Sequence, residues 1–143
     1  MTHPILRPAI VLVLWSLLVL LWMIGTRIPA LKRHNLDIRG AVGGRGSDLD
    51  GVLPDKTQWK AHNYNNLMEQ PTLFYALVLM LAILAPGDGV SVVLAWVYVV
   101  LRIVHSIWQA TVNIVFYRAT LFTISSVVLI ALALRAAMLV LSE

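Results

Sequence analysis

AHNYNNLMEQPTLFYALVLMLAILAP, residues 61–86, is the stretch that decides the fold class. Its second half is continuously apolar. Its first half carries His62, Asn63, Asn65, Asn66, Glu69 and Gln70. Hydrogen-bonding groups at membrane depth face protein or water and find partners there. The stretch therefore predicts a membrane helix with a polar mouth built for contact with something other than lipid.

The rest of the chain agrees with a membrane class. It has 143 residues, of which 59% are hydrophobic and only 13% charged, and its mean hydropathy is +0.82. A soluble domain carries about twice that charged fraction, roughly 25%. Four apolar stretches cover residues 8–25, 61–85, 90–116 and 119–141. Each suits a span of roughly 20 residues, and in hydrocarbon such spans must be helices. The expected fold is an all-α integral membrane protein, a four-transmembrane-helix bundle, with residues 1–143 as one domain. The first stretch is too long for the apolar part of a secretory signal, and no A-x-A-like site follows it. There is no cysteine, which excludes disulfides and thiolate metal sites. The formal charge of +4 lacks the basic, aromatic-interleaved surface of a nucleic-acid binder.

Sidedness is predicted from lysine and arginine. Residues 26–60 hold Arg27, Lys32, Arg33, Arg39, Arg45, Lys56 and Lys60, whereas the turn APGDGV between the second and third stretches holds none. The long first loop is expected in the cytoplasm, with both termini outside it. Within that loop RGAVGGRGSDLDGVLPD, residues 39–55, matches neither an EF-hand nor a phosphate-binding loop. It is expected to be a flexible, solvated connector.

On a helix, His62, Asn66 and Glu69 fall at i, i+4 and i+7, a single narrow stripe bordered by Asn65. In the third stretch Arg102, His105 and Gln109 make a second stripe, with Asn113 one turn on. Glu69 and Arg102 are the expected neutralising pair. Arg118 opens the fourth span, and Pro71 is expected to kink the second. Such groups can serve only as interhelical hydrogen-bonding glue, and His62 with His105 can be imagined as haem ligands. The full inventory of amides, histidines, a carboxylate and arginines at one membrane face instead suits a small zwitterionic ligand with carboxylates, an ammonium and peptide bonds.

Three short motifs carry a family resemblance: NLME, residues 66–69, followed shortly by Pro71; RIVH, residues 102–105; and Arg118 at a matching distance beyond His105. Their order and spacing resemble the MAPEG family, the membrane-associated proteins of eicosanoid and glutathione metabolism. AHNYNNLME is similar to the R-A-H-R-N-D-M-E run of its prostaglandin E synthase branch. The resemblance implies a homotrimer that binds glutathione between subunits near the cytoplasmic face. It implies that Asn66 and Glu69 hold the glutathione backbone, that His105 holds or orders a carboxylate, and that Arg118 faces the thiol. Arg27 is the arginine that would reach in from a neighbouring subunit. Arg102, His62, Asn65 and Gln109 complete the candidate binding set. His62 and Asn65 stand where the family often has arginines, and Gln109 and Phe122 where the prostaglandin synthase branch has tyrosines. The function expected is a glutathione-dependent transferase or peroxidase acting on a lipophilic electrophile or lipid peroxide. The alternative is a non-catalytic lipid-binding scaffold on the same fold.

Overall fold

A computed structural model of the chain describes residues 3–141. The helices are α1 (Leu6–Arg33), α2 (Asp55–Glu69), α3 (Pro71–Leu84), α4 (Gly89–Thr111) and α5 (Val115–Leu141), with a short 3-10 turn at Gly46–Leu49. Four helical segments are long and apolar enough to cross a membrane, α2 and α3 together forming one of them. The protein is a multi-pass integral membrane protein of all-helical architecture.

Several boundaries differ from the sequence expectation, each for a local reason. Helix α1 does not stop near Gly25 but runs on to Arg33, with Pro29 inside it. A proline removes one ladder bond, and the helix tolerates it here. The third helix ends at Thr111, not near residue 116, because Asn113 takes φ +55. Asparagine tolerates that left-handed conformation better than most residues. The N–H of Asn113 bonds back to the Trp108 carbonyl at 2.8 Å and closes the helix. The fourth span consequently starts four residues early, at Val115.

Pro71 divides the second span in two. It opens α3, and Gln70 joins it to α2 in ordinary helical conformation. Gln70 lies where the ladder is interrupted, and its amide is held at both ends. Its Nε2 donates to Ser126 Oγ at 2.8 Å, and its Oε1 accepts from the Tyr98 hydroxyl at 3.2 Å. The same Tyr98 ring stacks on Phe74, with centroids 4.6 Å apart. One amide thus ties α2 and α3 to both α4 and α5.

The core between the helices is built from Leu12 and Val19 of α1, Leu67 of α2, Phe74, Val78 and Leu81 of α3, Tyr98 and Val99 of α4, and Leu129 and Leu132 of α5. Small side chains at Ser91, Ala95, Ser106 and Ala110 lie on the buried face of α4. Such residues let helix backbones approach closely where lipid gives no hydrophobic driving force. Outward faces carry exposed leucine, isoleucine and valine, including Leu14, Leu21, Ile83 and Val127, as a lipid-facing surface should.

Away from the polar mouth, Asp88 closes the turn between α3 and α4. Its Oδ2 accepts from the Ser91 N–H at 3.2 Å, a side-chain N-cap worth about 1 kcal/mol. Arg135 of α5 grips the same carboxylate with two bonds, of 3.0 and 3.1 Å. The Arg135 contact first, and the Ser91 hydroxyl second, hold the Asp88 carboxyl well below the usual carboxylate range.

Candidate functional site

The C-terminal end of α1, α2, the end of α4 and the start of α5 meet at one end of the bundle, and the polar residues collect there. Helix α4 presents its stripe as the spacing predicts. Arg102, His105 and Gln109 are all buried, and Ser106 joins them. The Arg102 side chain has no exposed surface. Its Nη2 donates to the Asn66 backbone carbonyl at 3.0 Å and also to Asn66 Oδ1. Its guanidinium carbon lies 5.6 Å from the centre of the Phe122 ring, within cation–π range.

The expected Glu69–Arg102 pair is not formed. The Glu69 carboxylate makes no hydrogen bond or ion pair among the described residues, and the residue is exposed. The cause is the rotation of α2. The positions turned toward α4 and α5 are Asn63, Asn66 and Gln70, at i, i+3 and i+7, rather than His62, Asn66 and Glu69. Asn63 is fully buried and donates to Ser106 Oγ at 2.8 Å, where Trp15 Nε1 also donates at 2.9 Å. Asn63, Ser106 and Gln70 are thus structural residues that the stripe reading passed over. Their signal was present as helical spacing from Asn66 and Arg102.

His62 and Asn65 leave the helix toward α1 and the first loop. That loop is solvent-exposed along most of its length, as expected, but its 46–50 part is docked rather than free. Arg27 Nη2 donates to the Gly46 carbonyl at 2.7 Å and to Gln58 Oε1 at 3.1 Å. Gln58 Nε2 donates to Gly46 O at 3.1 Å and to Asp50 Oδ1 at 2.6 Å. His62 Nε2 lies 2.9 Å from the same Asp50 oxygen. Gln58 first, then His62, holds the Asp50 carboxyl below its ordinary value. Gln58 and Asp50 have no periodic signature, so sequence alone does not pair them. His62 is thus turned to the loop, while His105 packs against Phe122, ring centres 6.0 Å apart. Among the described residues no group of three or more His, Asp or Glu gathers as a metal site.

Arg118 lies in the first turn of α5 and is half-buried. Its Nη1 donates to Asn113 Oδ1 at 2.8 Å. The residue that ends α4 therefore also aims the arginine that starts α5. Inside the cluster, Arg102 Nε and Nη1, His105 Nδ1 and Gln109 Oε1 are buried and have no hydrogen-bond partner among the described residues. Groups of this kind are normally satisfied by water or ligand, so this mix of donors and an acceptor suits a polar molecule.

Residues 5–138 match the sequence profile of the MAPEG family. The chain belongs to the MAPEG family. It significantly matches no curated protein and no solved structure. As a MAPEG protein it falls in glutathione-related or lipid metabolism. Within this MAPEG bundle, the structure brings Asn66 to Arg102, places His105 and Gln109 on one buried face, seats Arg118 on Asn113, and lines one cavity with Arg27, His62 and Asn65. Glu69 stands outside these groups.

Proposed function

We propose that the protein is a membrane-bound glutathione-dependent transferase or peroxidase, akin to the prostaglandin E synthase branch in its motifs. Its partners are then a second and third copy of itself, membrane lipid, and a lipophilic substrate. The observation that carries this is Arg118, held by Asn113 in the first turn of α5 beside a buried set of unpartnered polar atoms. A helix N-terminus already favours an anion, and a fixed guanidinium adds to it. A free thiol with a pKa near 8.5 is only a few per cent thiolate at neutral pH. Lowering that value by about 1.5 units takes roughly 2 kcal/mol and makes about half of it thiolate.

The binding roles follow from donor geometry. The Arg102 contact uses the Asn66 carbonyl oxygen, so the Nδ2 hydrogens remain to be donated to a peptide carbonyl. The unpaired Glu69 carboxylate suits an ammonium group. Arg102, His105 and Gln109 offer the unsatisfied atoms toward carboxylate and amide groups. A lipophilic electrophile or peroxide then arrives from the bilayer side, along the exposed apolar faces.

A homotrimer is supported by Glu69. Its exposed neighbours Met68 and Leu73 are apolar, and a carboxylate beside lipid is costly unless another chain covers it. In mild detergent, native mass spectrometry should show trimers that retain glutathione, and calorimetry should show saturable glutathione binding. Monomers alone, or no binding, would leave the scaffold function in its place.

The lysine and arginine asymmetry supports a cytoplasmic first loop with both termini outside. A cysteine introduced at Ser47 should stay unlabelled by an impermeant maleimide added to intact cells. Labelling there would reverse the orientation.

A further inference from the structure

A cavity of about 400 Å³ lies between the last turns of α1 and the first turn of α2, within the usual range of ligand pockets, roughly 300–1,000 Å³. Its α1 wall is Gly25, Thr26, Pro29, Ala30 and Arg33, at i, i+1, i+4, i+5 and i+8, so one helix face makes it. Arg27 belongs to another face and is held by Gly46 and Gln58. His34 and Thr57 complete the polar lining. No aspartate or glutamate lines the cavity, and the nearest acids in sequence, Asp37 and Asp55, line other recesses. The side chains of Arg33, His34 and Thr57 make no hydrogen bond or ion pair among the described residues. The wall also holds an acceptor without its ladder donor. Pro29 has no N–H, so the carbonyl four residues before it, that of Gly25, loses its helical partner. A Cβ on Gly25 would meet nothing within 4 Å, so this part of the helix faces open space.

The depth of the cavity points to its occupant. The same face continues through Trp22 and Leu18, at i−3 and i−7 from Gly25, into the apolar run of α1. Leu18 is exposed, and the Trp22 ring carries the Lys60 ammonium 5.4 Å from its centre. Tryptophan favours the membrane–water interface, so Gly25, one turn beyond it, lies near the start of the headgroup layer, which is roughly 5–8 Å deep. Arg33 starts about 12 Å further along the axis, but helix side chains lean toward the N-terminus and long cationic ones reach back to the interface. Cations thus stand at phosphate depth, above an exposed apolar face and beside a carbonyl that lacks its donor. We propose that this cavity is a phospholipid headgroup site selective for phosphoethanolamine. Arg33, with His34 and Thr57, holds the phosphate. The Gly25 carbonyl accepts from the ammonium, and the acyl chains run down past Trp22 and Leu18. A choline headgroup has the same phosphate and positive charge but no N–H to donate, so the carbonyl is what separates the two lipids.

The test is lipid binding by the purified full chain in mild detergent, read by native mass spectrometry against titrated phosphatidylethanolamine, phosphatidylcholine and diacylglycerol with the same acyl chains. Wild type should hold phosphatidylethanolamine about fivefold more tightly than phosphatidylcholine, the effect of one hydrogen bond, and should hold diacylglycerol least. Arg33→Gln should weaken both phospholipids about tenfold, the size expected for a charge-assisted contact. Arg39→Gln, which removes the same charge outside the cavity, should match wild type. Pro29→Ala returns an N–H to the Gly25 carbonyl. It should bring phosphatidylethanolamine down to the phosphatidylcholine level and leave phosphatidylcholine unchanged. Equal binding of all three lipids by wild type would mean acyl contact alone and overturns the proposal. An equal loss in Arg39→Gln overturns it too, as does an ethanolamine preference that survives in Pro29→Ala. Displacement of the lipid by millimolar inorganic phosphate would make this a site for soluble anions and likewise overturns it.

Discussion

Arg118→Ala is expected to lower turnover in a thiol-conjugation assay at neutral pH by about tenfold or more, the kinetic equivalent of the roughly 2 kcal/mol of thiolate stabilisation. The loss should shrink as pH rises, because the thiol then ionises without help. Arg118→Lys should lose less, since it keeps the charge, but not nothing, since an ammonium lacks the planar fork that Asn113 orients. The assay needs an electrophile that wild type accepts, such as chlorodinitrobenzene or a lipid hydroperoxide. Full turnover in Arg118→Ala, with an unchanged pH profile, would exclude this residue as the thiolate stabiliser.

The second large effect concerns stability. Asn66 is the side-chain partner of a guanidinium with no access to solvent. Asn66→Leu should lower unfolding free energy by about 2 kcal/mol, because a buried charged donor loses its side-chain acceptor and keeps only the Asn66 backbone carbonyl. Arg102→Met removes the charge together with its need for partners and should cost less. The double variant should lose clearly less than the sum of the two, the signature of residues in contact. Glu69→Gln combined with Arg102→Met should show a smaller coupling than Asn66 with Arg102, since Glu69 and Arg102 share a charge attraction but no hydrogen bond or ion pair. Denaturant titration in detergent measures all four. Additive Asn66 and Arg102 effects would contradict the contact seen here.

The contrast between those two pairs shows what the sequence could and could not reveal. The inward face of α4 was legible because isoleucine, valine and tryptophan separate Arg102, His105 and Gln109, with only Ser106 polar among them, so the period is visible against an apolar background. Residues 62–70 of α2 are polar on nearly every side. Nothing phases them, and a rotation of one position exchanges His62 and Glu69 for Asn63 and Gln70. The four spans were legible from apolar runs alone. Their ends were not, because the Asn113 turn and the continuation of α1 past Gly25 depend on backbone conformation. The loop was least legible. Glycines at 40, 43, 44 and 46 resemble a linker, whereas the contacts that dock it, Arg27 to Gly46 and Gln58 to Asp50, join distant positions with no pattern between them.

The division of the second span at Pro71 also bears on how the protein enters a bilayer. The apolar helix α3 has 14 residues, which at 1.5 Å each reach about 21 Å. A hydrocarbon core is about 30 Å thick. The remainder of the crossing falls to α2, whose amides and carboxylate oppose partition on their own. This segment is the least apolar of the four spans, with a mean hydropathy of 1.7 against 2.0 to 2.5 for the others, and so the weakest independent insertion unit. The short turn at Asp88 joins it to the more apolar α4, and a hairpin of the two can enter together, with the Asn63 and Asn66 contacts to α4 already within reach. Insertion of the second span is thus expected to draw on the chain that follows it.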